Sequence, residues 1–170
     1  MSNEMIAETT QYLTFKLDGE VFAVDVAKVR EILDFTPATK VPGTPDYMRG
    51  VINLRGHVVP VLDLKLRFGM KKTEQTVNTC IIIVEVHLDG EKTIIGALAD
   101  SVQEVIEMDA SMIQAAPKIG TKMNTDFIRG MGKRDEQFVI ILDIEKTFST
   151  EDLNAVRVSA EESKEIKTAA

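Results

Sequence analysis

Tryptophan is missing from this chain, cysteine occurs once, histidine twice, and aromatic residues make up only 5% of the 170 positions. Each scarcity excludes something. A single cysteine, Cys80, leaves no internal disulfide framework and no thiolate zinc cluster, and it fits a reducing cytoplasm. His57 and His87 have no second ligand at i, i+4 spacing, so ordinary surface or half-buried roles are the better reading than metal ligation or catalysis. No apolar run approaches the roughly 18 residues that a membrane span needs. The start, Met1 to Glu8, has neither a basic segment nor an apolar core, so export is not expected. A basic excess is also lacking. With 27 acidic and 20 basic residues the formal net charge is −7, the wrong sign for neutralising a phosphate backbone. One local basic cluster, Lys65, Arg67, Lys71 and Lys72, has no aromatic platform for bases and reads as a solvated turn.

Catalytic constellations are missing as well. Cys80 begins a run of isoleucines with no basic neighbour to lower its pKa, and reads as a small buried hydrophobe. Gly130-Met131-Gly132 is not completed to a dinucleotide fingerprint, and no lysine–serine pair follows it. An enzyme is not expected, and neither is a metal or a cofactor.

What is present is alternation. In Tyr12–Leu17, apolar Leu13, Phe15 and Leu17 alternate with Thr14 and Lys16, the pattern of a half-buried strand. Asp18-Gly19 is a hairpin dipeptide, and Val21–Val24 resumes the strand. Residues 58–64 are apolar on both faces, with Pro60 demanding an edge or a bulge. Thr79–Leu88 and Thr93–Ala99 flank a second Asp-Gly turn, and Phe138–Ile144 is the last clear strand. Asp25–Arg30 reads equally as one or two helical turns or as the approach to a strand at Val29–Leu33. Ser149-x-x-Asp152 resembles a capping box that opens a short helix through Val158, ahead of a frayed polar tail ending at Ala170.

The chain also repeats itself. Leu17-Asp-Gly-Glu20 returns as Leu88-Asp-Gly-Glu91, its glycines 71 residues apart at 19 and 90. Tyr47-Met-Arg-Gly50 returns as Phe127-Ile-Arg-Gly130, and Val-Leu-Asp63-Leu as Ile-Leu-Asp143-Ile, both 80 residues apart. Several motifs in conserved order mark a duplication with a small insertion in the second copy. The matching Asp63 and Asp143 then have a shared structural task, capping the chain as it leaves a strand, rather than acid–base work. Each unit of about 70 residues suits a small bent antiparallel barrel, whose closure removes exposed strand edges. The expected fold is therefore all-β: two small five-stranded barrels packed together over 12–148, the first about 12–77 and the second about 78–148, then a C-terminal helix and tail over 149–170. The seam between barrels is expected to be a groove.

Val29-Arg-Glu-Ile32, Val41-Pro-Gly-Thr-Pro45, Arg49-Gly-Val-Ile-Asn-Leu-Arg-Gly56 and Val59-Pro-Val-Leu-Asp-Leu64 together resemble the CheW family of bacterial chemotaxis coupling proteins, from about Tyr12 to Phe148. The resemblance implies SH3-like barrels and a non-catalytic adaptor. Its implied partners are the regulatory domain of the histidine kinase CheA and the cytoplasmic tip of methyl-accepting chemoreceptors, in cytoplasmic arrays at the inner face of the membrane. By position it implies a kinase-facing set of Val29, Glu31, Arg49 and Gly50, and a receptor-facing set of Val26, Arg55, Cys80, Gly96 and Val105. The competing reading is a small-barrel module that binds a ligand or nucleic acid, which the acidic charge and the missing aromatic platform disfavour.

Overall fold

The computed structural model describes residues 9–88, 90–115 and 127–148. The first copy of the repeat runs β1 (Thr9–Leu17), β2 (Glu20–Asp25), a 3-10 turn at Val26–Lys28, β3 (Val29–Asp34), β4 (Met48–Leu54), β5 (His57–Asp63) and the one-turn helix α1 (Leu64–Arg67). The second runs β6 (Cys80–Leu88), β7 (Glu91–Ala99), β8 (Ser101–Asp109), a 3-10 turn at Ala110–Met112, β9 (Ile113–Gln114), β10 (Ile128–Arg134), β11 (Gln137–Leu142) and α2 (Ile144–Thr147). Both readings of 25–33 hold in turn, since one turn of helix, capped by Asp25 on the Ala27 amide, precedes the strand. The helix expected from Ser149 lies outside the described residues.

The barrels are not the two halves of the chain. One sheet is ordered β8-β1-β2-β11-β10-β9 and the other β3-β6-β7-β5-β4. Each joins the first hairpin of one repeat to the later strands of the other. The expected boundaries, 12–77 and 78–148, are therefore corrected: β3–β7 form one barrel, while β1–β2 with β8–β11 form the other. The physical reason is that ladder hydrogen bonds are made by backbone groups alike in every residue, so near-identical hairpins can exchange partners without loss.

The exchange obeys the duplication. In one sheet β5 runs parallel beside β7, with Val61 opposite Gly96. In the other, β11 runs parallel beside β2, with Ile140 opposite Phe22. Closure is matched too: the chain beyond β3 returns so that Thr39 bridges Val51 of β4, while the chain beyond β8 returns as β9 on β10. Pro60 sits on β5 one residue before the pairing with β7 begins, so its missing N–H costs no ladder bond there.

Three apolar clusters lie among the described residues. Ile52, Val59, Val61, Ile81, Ile83 and Leu98 occupy one barrel, and Tyr12, Ala23, Ile106, Met108, Val139 and Ile141 the other. The largest cluster lies between them. Leu13, Phe15, Phe22 and Val24 from one sheet meet Ile82, Val84, Met48 and Leu62 from the other, joined by Phe68 and Phe127. Strands with apolar residues on both faces thus have one face in a barrel and one in the seam, as Ile81 and Ile82 do. The ring sequence Phe15, Phe22, Phe68, Phe127 crosses this seam at centroid spacings of 6.1, 5.9 and 5.8 Å. Units this small bury limited area alone, and the shared core supplies what each lacks. Between the sheets the seam is packed with apolar, complementary side chains.

Candidate docking surface

The residues expected to face partners fall into two physical groups, those at the surface and those that hold it in shape. Glu31 and Arg55 belong to the surface. Arg55 occupies the first position of the two-residue turn between β4 and β5, with φ +51° followed by Gly56 at +85°. That turn type matches the twist of the flanking strands. It brings Arg55 Nη2 to 2.7 Å from Oε2 of Glu31 on β3. Donating this hydrogen bond to the Glu31 carboxylate holds the Arg55 pKa above its ordinary value. Oε1 of Glu31 is buried without a hydrogen-bond partner, an acceptor left open beside the pair. The two expected sets of residues are thus joined through one ion pair.

Other residues of the expected sets are apolar. Val29 and Val26 are half-buried and pack on the seam core. Val105 on β8 is 52% exposed and Ile32 on β3 45%. Val29, two residues from Glu31 on β3, sets an apolar side chain next to the charged pair, the composition of a contact site.

Arg49, Gly50, Cys80 and Gly96 are placed behind the surface. Arg49 and Gly50 lie within β4. Arg49 Nη1 donates to Oδ2 of Asp63 at 3.2 Å and to the Thr73 carbonyl at 3.1 Å, so its charge is already answered. Gly50 has φ +140°, and a Cβ there would lie 2.2 Å from the Thr39 carbonyl oxygen. Gly96 is buried in β7, where a Cβ would come within 2.8 Å of the Ile81 side chain. Cys80 is 7% exposed in the seam core, and burial pushes its thiol pKa up. Gly50, Gly96 and Cys80 are buried, and their side chains, or the lack of them, serve packing.

Sequence reasoning passed over Val58 and Phe138, which are 53% and 54% exposed at equivalent positions of β5 and β11. Their signal was available in the 80-residue spacing, since an apolar residue recurs at an outward strand position. Among the described residues, no group of three His, Cys, Asp or Glu converges as a metal site.

This double barrel matches known proteins closely. Residues 11–152 match the family described as the CheW-like domain. The chain belongs to the CheW family. It is 33% identical to the chemotaxis protein CheW of Klebsiella aerogenes over 146 residues, 86% of each chain. It is 36% identical to the chemotaxis protein CheW of Bacillus subtilis, over 77% of this chain and 81% of that one. The crystal structure of the scaffolding protein CheW from Thermoanaerobacter tengcongensis superposes with a TM-score of 0.75 at 32% identity, covering 89% of this chain and 96% of that one. As a CheW family member the chain is a coupling scaffold of chemotaxis signalling, built on two packed β-barrels.

Proposed function

We propose that this CheW family member is a non-catalytic coupler, joining the regulatory domain of the histidine kinase CheA to the cytoplasmic tip of chemoreceptors in arrays at the inner membrane face. The observation that carries the reading is the distribution of its polar groups. Both barrel interiors and the seam are filled with apolar side chains, while the Glu31–Arg55 pair and its apolar neighbours stand at the surface. Such a molecule acts by contact. Val29 and Glu31 would meet the kinase, with Arg49 and Gly50 shaping β4 from behind. Val26, Val105 and Arg55 would meet the receptor, with Cys80 and Gly96 supporting the sheets beneath. No described helix is long and apolar enough to cross a membrane, so the array would be reached through the receptor.

Calorimetric titration with the kinase regulatory domain and a receptor-tip fragment, separately, tests this. Glu31→Arg is expected to weaken kinase binding at least tenfold, since an attraction becomes a repulsion. The exchanged pair Glu31→Arg with Arg55→Glu restores the internal bond while keeping both docking charges reversed. Recovery of kinase binding in that double variant would assign Glu31 a purely internal role and defeat the docking assignment. Val105→Lys is expected to weaken receptor binding while sparing the kinase; equal loss at both partners would refute separate surfaces.

A further inference from the structure

The duplication supplies an internal template for a binding site in the second barrel. In the first barrel a single residue, Thr73, is held on every polar group it has. Its hydroxyl donates to Asp63 Oδ1 at 2.7 Å and its amide to Asp63 Oδ2 at 2.9 Å, and its carbonyl accepts from Arg49 Nη1 at 3.1 Å. Asp63 and Arg49 together form a clamp that reads a threonine by its hydroxyl and both flanking peptide groups. The loop after α1 delivers Thr73 to it, and the residue is 3% exposed.

The same two residues recur 80 positions on, as Asp143 and Arg129. Their backbone setting is the same. Asp63 has φ −91° and ψ 102°, Asp143 φ −89° and ψ 99°. The Asp63 amide donates to the Tyr47 carbonyl at 2.7 Å, and the Asp143 amide to the Phe127 carbonyl at 2.9 Å. Both arginines stand on strands whose register shifts at the same place, between Met48 and Gly50 and between Ile128 and Gly130. Yet the second clamp holds nothing among the described residues. The Asp143 carboxylate accepts only the Lys146 amide, at 3.2 Å, and Arg129 is exposed and makes no ion pair or hydrogen bond with a described residue. Among the described residues, Arg129 and Asp143 line a hollow of about 230 Å³ together with Asp25, Lys28 and Glu145. Lys28 and Glu145 occupy each other at 2.8 Å, which leaves Asp143 as acceptor and Arg129 as donor for an incoming group.

We propose that Arg129 and Asp143 form a second docking site of this chain, one that clamps a serine or threonine residue in an extended segment of a partner protein. The hydroxyl and amide of that residue bond Asp143, and its carbonyl accepts from Arg129. A charge-assisted acceptor with two donors from one residue selects hydroxyl side chains over isosteric apolar ones, because valine leaves a carboxylate lone pair unanswered. The site is independent of the Glu31–Arg55 surface and stands or falls apart from it.

The test uses the full chain and a capped heptapeptide copying Met70–Thr76, a segment that already fits the first clamp. Amide chemical shifts are followed during titration into the millimolar range, where a contact of this size binds. The expected result is saturable shifts at Arg129, Asp143 and Ile144. They should be lost with Asp143→Asn and reduced at least tenfold in affinity for a peptide carrying valine in place of Thr73. Equal binding of the two peptides, or no shift at these residues, overturns the proposal. So does a loss of stability in Asp143→Asn as large as that in Asp63→Asn, since the clamp would then be filled by this chain itself.

Discussion

Replacing Asp63 by asparagine separates two reasons for an aspartate at the end of β5. Asparagine caps a helix as well as aspartate does, so a residue that only caps should tolerate the change with little loss. Asp63 does more. Its fully buried carboxylate accepts from the Thr73 amide and hydroxyl, from Arg49, and from the Lys65 and Leu66 amides at 3.1 and 3.4 Å. An amide in its place turns one acceptor into a donor facing donors and leaves the Arg49 charge without its partner. Breaking a buried pair in this way costs about 3–5 kcal/mol. Because the Arg49 side chain is 21% exposed, water recovers part of that, and about 2–4 kcal/mol is expected here. Asp143→Asn, whose carboxylate has only its cap bond among the described residues, should cost less than about 1 kcal/mol. Urea denaturation followed by circular dichroism reads both. With a slope of about 2 kcal/mol/M, Asp63→Asn shifts the midpoint by about 1–2 M, and Asp143→Asn by less than about 0.5 M. Two small, equal shifts would refute the claim that burial, rather than capping, sets the value of Asp63.

Three further outcomes follow from other contacts. Gly50→Ala drives a Cβ into the Thr39 carbonyl and strains a φ of +140°, so it should cost roughly 1–3 kcal/mol and open the Thr39–Val51 bridge, read as faster exchange of the Val51 amide; an unchanged midpoint would contradict the geometry. Glu145 is held below the ordinary glutamate pKa, first by the hydrogen bond from Lys28. A depressed carboxylate contributes stability that is present above its unfolded pKa and is lost as pH falls through the folded one, so Lys28→Met should flatten the acid limb of the stability profile; an identical limb in both proteins would argue against the bond. Cys80, its pKa raised by burial, should react with a thiol reagent only at the rate of opening, and rapid labelling of the native protein would show the seam to be looser than packed.

Much of the architecture was legible because local signals agreed. Asp18-Gly19 turns as its sequence demands, at φ +53° and +82°. The spacing of 80 residues was equally informative, since it pairs Gly50 with Gly130 and Asp63 with Asp143 at matching structural positions. Other elements were hidden for physical reasons. The turn at Asp135-Glu136 adopts φ +47° and +66° without a glycine, so composition does not announce it. In β8, partners of Leu13 and Phe15 are Val105 and Val102, three residues apart on one strand and two on the other, and that bulge breaks the alternation by which a strand is recognised. Gly50 stands out in the sequence only through the repeat. Its reason is the close passage of Thr39 over a strand, which only the folded chain brings there.

Of the docking residues, the sequence marked types and positions, but not which were free to act. Arg49 and Arg55 look alike in a list of charges; one is committed to Asp63 and Thr73, the other reaches 72% side-chain exposure. Glu31 and Arg55, 24 residues apart, meet because β3 lies at one edge of its sheet and the β4–β5 turn closes the other.

Alternation, turn dipeptides and the internal repeat fixed on their own that this chain forms hairpins twice over, because each depends on neighbours along the backbone. Which hairpin lies beside which strand was decided only by the tertiary structure. Backbone hydrogen bonds are blind to residue type, and a strand apolar on both faces states that both will be covered without naming the cover. The exchange of hairpins between repeats, and the packing of the seam, follow from complementary side chains far apart in sequence.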